Sequence, residues 1–161
     1  MKRPAFFLCL FALGAAPADA RDALGMFGAW GAFRDAGIPR CYAIAMPEKT
    51  TKAEVDAYAD VGLWPKKGVR GQVHFRLSRR MQPGAGAQLS LGGQHYRLTG
   101  GGIDAWAADA RMEAAIVAAM RSGEIMTVSS RDGAGRLFAD QYTLPGAATA
   151  IDAAALGCAG R

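Results

Sequence analysis

The sequence predicts a β-rich α+β domain: an antiparallel sheet pair, either a sandwich or an open barrel, with two helices. Three observations carry this. Apolar and polar residues alternate over 69–79, a Gly92-Gly93 pair separates two matched strand runs, and one apolar stripe at helical spacing runs through 109–122. Period two marks a half-buried strand, whereas i, i+3, i+4 spacing marks a helix with one covered face.

In chain order, residues 1–20 (MKRPAFFLCLFALGAAPADA) come first and have the layout of a secretory leader. Lys2 and Arg3 supply the positive start, an apolar run follows, and Ala18-Asp19-Ala20 is a small-x-small cleavage site. Gly14 and Pro17 interrupt the run before the ~18 residues that a spanning helix needs. The expectation is cleavage after Ala20 and one exported domain over 21–161, in the periplasm or associated with the outer membrane. No other apolar run approaches spanning length, so no transmembrane span is expected in the processed chain.

Strands are expected at 27–33 and 40–46, joined by the turn-forming Asp35-Ala36-Gly37-Ile38-Pro39. Residues 47–68 mix charge, Pro and Gly without sustained period and read as a long surface loop with one helical turn. In strand 69–79, Val69, Gly71, Val73, Phe75 and Leu77 fall on the core side, and Arg70, Gln72, His74, Arg76 and Ser78 on the solvent side. The hairpin at Gly92-Gly93 sets 87–91 against 94–98, with Leu89 opposite Tyr96, Ala87 opposite Leu98, Ser90 opposite His95 and Gln88 opposite Arg97. Asp109 is the expected N-cap of the main helix, whose stripe is Met112, Ala115, Ile116, Ala119 and Met120. A second hairpin pairs 124–130 with 136–144 around Asp132-Gly133-Ala134-Gly135. Pro145 then opens a short alanine-rich helix, which Gly157 is expected to stop.

The chain has a formal charge of +5, falling to +4 once Lys2, Arg3 and Asp19 leave with the leader. That mild excess, on an exported domain, makes nucleic acid a poor partner. Three cysteines occur, and Cys9 goes with the leader. Cys41 and Cys158 remain, and an even pair in an oxidising compartment points to a disulfide closing most of the domain. The chain-entropy model values such a closure at roughly 4–5 kcal/mol.

The two histidines, His74 and His95, stand at no metal-ligand spacing from Cys, Asp or Glu, so neither metal nor cofactor is expected. No Gly-x-Ser-x-Gly elbow is present, and Gly84-Ala85-Gly86 and Gly100-Gly101-Gly102 lack the Lys-Ser/Thr of a phosphate loop. A hydrolase or thiol enzyme would have to use His74 or His95 beside a serine or cysteine. Trp30, Trp64 and Trp106 read as packing residues before they read as a ligand groove. The one surface constellation is basic: Arg70, His74 and Arg76 on one strand face, with Arg79 and Arg80 beyond its end. Such a row fits an anionic envelope polymer or an acidic partner protein, against the plainer reading of a solvated strand.

Four short segments carry a resemblance. The segments Met120-Arg121-Ser122-Gly123, Asp140-Gln141-Tyr142-Thr143-Leu144 and Gly146-Ala147-Ala148-Thr149-Ala150-Ile151, with Phe27-Gly28-Ala29-Trp30 followed by Cys41, resemble the invasion-associated locus B family of exported proteins. The chain departs from that family's usual cysteine pattern, having Phe33 and Arg34 where a further cysteine is common, so the family's disulfides are not carried over. The resemblance implies an exported, β-rich envelope protein and transfers no catalytic residue. The expected function is therefore a non-enzymatic binding or interaction protein of the envelope.

Overall fold

The computed structural model describes residues 21–35 and 37–159, so the expected leader over 1–20 lies outside the described residues. Eleven strands form one antiparallel sheet that does not close on itself, and two helices lie on its inner side. In chain order the strands are β1 (Arg21–Phe27), β2 (Trp30–Asp35), β3 (Arg40–Ala45), β4 (Lys49–Thr50), β5 (Tyr58–Trp64), β6 (Val69–Arg76), β7 (Ala87–Leu91), β8 (Gln94–Gly101), β9 (Asp104–Trp106), β10 (Ile125–Arg131) and β11 (Leu137–Thr143). The helices are α1 (Ala110–Met120) and α2 (Ala147–Cys158).

The sheet order is β1-β2-β3-β5-β6-β9-β8-β7-β10-β11-β4. β8 joins its two halves: residues 94–98 pair with β7, and residues 99–101 with β9. Gly100 makes that change of partner possible, because a Cβ there would run into the Asp104 carbonyl and its φ of +140° disfavours L side chains. Folding at this corner brings the inner faces of the halves together. Phe75 meets Tyr142 with ring centroids 6.3 Å apart, and Trp30 sends its indole N–H to the Thr143 carbonyl at 2.9 Å. The core between them includes Val61, Val73, Leu89, Leu91, Ile116, Met126, Val128 and Phe138, all under 3% exposed.

Both hairpins follow the pattern read from sequence. The β7–β8 register pairs Leu89 with Tyr96, Ala87 with Leu98, Ser90 with His95 and Gln88 with Arg97, as the Gly92-Gly93 turn requires. α1 is capped by Asp109, whose carboxylate accepts from the Met112 N–H at 2.8 Å. Ile116 and Met120 are buried as expected, but Ala115 is exposed, which narrows the apolar stripe.

Several boundaries differ from the sequence reading: the strand expected over 69–79 ends at Arg76, and β4 and β9 fall where no strand was expected. The run 27–33 contains a reversal: Gly28 takes φ +60° and lies so close to Pro145 O that a Cβ would not fit, splitting the expected strand into β1 and β2. Residues 58–64, read as loop, form β5, a central strand. Asp60 and Gly62 break its apolar run only because both face outward, with Gly62 lying beneath the Trp64 ring. Gly157 does not stop α2, which continues to Cys158; the missing side chain instead lets the helix pack on Leu24.

Candidate functional site

The outer face of the first half-sheet gathers charge and aromatic rings. Residues directly opposite in an antiparallel ladder share a face. The pairs Phe33–Tyr42, Asp35–Arg40, Asp60–His74, Tyr58–Arg76, His74–Trp106 and Arg76–Asp104 therefore build one continuous surface across β2, β3, β5, β6 and β9. Ala43, Val61, Val73, Phe75 and Ala105 line the opposite, buried face.

His74 stands at the centre. Its Nδ1 is 2.8 Å from Asp60 and its Nε2 3.0 Å from Asp104, while the ring stacks on Trp106 at 5.0 Å and meets the edge of Tyr58 at 5.6 Å. Burial opposes the imidazolium, but hydrogen bonds and charge from Asp60 and then Asp104 outweigh it and raise the His74 pKa. A ring with a carboxylate on each nitrogen can donate to both while it is protonated, and in that form it has no free lone pair with which to act as a base. Asp60 also pairs with Arg40 at 3.5 Å, and the Arg40 guanidinium covers Tyr42 at 4.3 Å and Trp64 at 5.0 Å.

The basic row read from sequence is dispersed. A β-bulge at Gly71, which has φ +136°, makes Arg70 rather than Gly71 follow Gln72 in the β5–β6 register, with Leu63 opposite. Arg70 thus leaves the face of His74 and lines a cleft with Val117 of α1 and Arg121, the residue that follows that helix. Period-two reading fails here because one unpaired residue inverts the side-chain sense of all that precede it. Arg76 stays on the outer face, opposite Asp104. Arg79 is buried: its Nη2 is 2.7 Å from Asp132 and 2.8 Å from Glu54. Arg80 is exposed and lies against Gly102.

The remaining candidates separate as well. Cys41 and Cys158 stand at disulfide distance, with Cα atoms 5.9 Å apart, joining β3 to the end of α2 on the inner side. Neither sulfur is therefore a free thiol. His95 sits on the exposed β7–β8 hairpin, its Nδ1 3.0 Å from the Ser90 hydroxyl. Trp30 is core, as expected, whereas Trp64 and Trp106 are half-buried on the outer face. Among the described residues no cluster of three or more His, Cys, Asp or Glu could hold a metal ion, and no helix is long and apolar enough to cross a membrane.

Sequence reasoning missed Asp60, Asp104, Arg40 and Tyr58. They come from three separate strands, Arg40 from β3, Tyr58 and Asp60 from β5 and Asp104 from β9, and only strand pairing joins them. Asp140 and Tyr142, which belong to the segment carrying the family resemblance, point inward and are buried. Burial raises the Asp140 carboxyl even though the Ser78 N–H donates to it at 2.9 Å, and burial followed by the charge of Asp140 raises the Tyr142 hydroxyl. No family model, no curated protein and no solved structure matches this chain.

Proposed function

We propose that this chain is an exported, non-enzymatic interaction protein of the cell envelope, of the invasion-associated locus B type, and that it binds a partner protein through the outer face around His74. One observation carries this: neither described helix covers that face, both being on the inner side, and it combines Tyr58, Trp64 and Trp106 with Arg40, the residue types enriched in protein interfaces. The leader-like residues 1–20 and the segments quoted above support export and the family reading.

The charges on this face favour a protein over an anionic polymer. Arg21 pairs with Asp35 at 3.5 Å, Arg40 with Asp60, and His74 with Asp60 and Asp104. Arg76 has no ion pair among the described residues, but a surface where the other cations named here already have carboxylates offers a polyanion little net attraction, while it gives a protein a fixed pattern of donors and acceptors.

The test places a photoreactive phenylalanine analogue at position 58 on the outer face, or at position 88 on the exposed side of β7, in the chain expressed with its leader. The expected result is a discrete protein adduct from position 58 in the envelope fraction and none from position 88. An uncleaved chain confined to the cytosol, or adducts equal from both positions, would overturn the proposal.

A further inference from the structure

Two of the dispersed arginines, Arg79 and Arg80, meet two others elsewhere. At the end of the sheet where β6, the β8 corner and the β10–β11 turn converge, a cleft of about 900 Å³ is lined by Arg79, Arg80, Arg97 and Arg136. Against these four guanidinium groups it holds two carboxylates, Glu54 and Asp132. Both are already engaged. Arg79 bridges them, and Asp132 also binds Arg136 through Nε and Nη2, each at 3.0 Å.

Asp132 fixes this wall. Burial works against its charge, yet the backbone N–H groups of Arg136 and Ala134, each at 3.0 Å, together with the Arg136 guanidinium, hold its carboxyl below the usual range. The Arg79 side chain it grips is 7% exposed, and the Arg79 Nε has no hydrogen-bond partner among the described residues. The other wall differs. Among the described residues neither Arg80 nor Arg97 has a carboxylate within 4.0 Å, and both are exposed. Between the arginines the lining is largely bare backbone: at Gly84, Gly101 and Gly133 a Cβ would meet nothing within 4 Å. No aromatic side chain lines the cleft, so stacking against a base or sugar ring is not on offer there.

We infer that this cleft is a second binding site, distinct from the outer face, for a small polyanion carrying two or more carboxylate or phosphate groups. Arg80 and Arg97 are its direct contacts, and the Arg79–Asp132–Arg136 network holds the wall behind them. Guanidinium groups suit both anions because their planar donor forks meet paired oxygens. The volume exceeds what a single oxyanion fills, which favours a ligand with several charged groups.

The test is calorimetric titration of the full chain with citrate in one arm and tripolyphosphate in the other, at low and at moderate salt. Binding in either arm, weakening as salt rises, is expected, and the tighter arm identifies the anion class. Arg80→Ser and Arg97→Ser should each weaken binding roughly tenfold, while Arg70→Ser, outside the cleft, should leave it unchanged. Circular dichroism on each variant checks that it is folded. No binding in either arm, or a loss with Arg70→Ser equal to that with Arg97→Ser, would overturn the inference. Neither result bears on the outer-face proposal, which is read at position 58.

Discussion

Asp60 and His74 face each other across β5 and β6, with Oδ2 of the carboxylate 2.8 Å from Nδ1 of the ring. Asp60 is 3% exposed on its side chain, so this contact lies at the base of the outer face rather than in open solvent.

The pair makes stability depend on pH in a direction that can be worked out. The folded pKa of His74 is raised above its ordinary 6.5, because Asp60 and Asp104 outweigh the cost of burial. A raised histidine pKa contributes stability that is fully present below the unfolded value and is lost as pH rises through the folded one. Thermal unfolding should therefore show wild-type stability declining as pH increases above about 6.5, the unperturbed histidine value. His74→Gln should lose most of that dependence. The groups facing the ring are Asp60, Asp104, Tyr58 and Trp106, with Arg40 bound to Asp60 and Arg76 opposite Asp104. An unchanged pH slope in the variant would refute the assignment.

The Cys41–Cys158 pair spans 117 residues and ties β3 to the C-terminal turn of α2. Cross-linking over such a distance restricts the unfolded chain strongly, and losing a native bridge of this kind costs about 2–5 kcal/mol. Cys41→Ser with Cys158→Ser should lower the unfolding free energy by that amount, and the denaturation midpoint with it, with little change in the native far-ultraviolet spectrum. Reducing the wild type should reproduce the shift. Equal midpoints for oxidised and reduced protein would show that the pair contributes nothing.

Gly146 and Gly133 form a matched test of backbone fit. Gly146 has φ +96°, and a Cβ there would collide with the Phe27 carbonyl, where the β1–β2 turn meets the start of α2. At Gly133 a Cβ meets nothing within 4 Å. Gly146→Ala combines a strained φ with a backbone clash and should cost more than about 3 kcal/mol in urea unfolding, whereas Gly133→Ala should stay within about 0.5 kcal/mol. Comparable effects at the two sites would contradict the packing described for this corner.

Local chemistry made much of this fold readable from the residues alone. The Gly92-Gly93 turn dictated the β7–β8 register down to each cross-strand pair, and Asp109 marked the start of α1. Cys41 and Cys158, the two cysteines outside the stretch read as a leader, pointed to their own pairing by simple count, and they stand at disulfide distance. These features depend on a few adjacent residues, or on simple counting. Tertiary structure decided the rest. A single unpaired residue at Gly71 turned Arg70 away from His74, and alternation in sequence carries no mark of a bulge that the partner strand defines. Asp60 and Gly62 concealed a central strand because their outward role exists only once His74 and Trp64 are beside them. The two surfaces to which we assign binding, the His74 face and the arginine cleft, draw on residues separated by tens of positions. Strand order and the fold at Gly100 bring them together, and neither is set by neighbours in the chain.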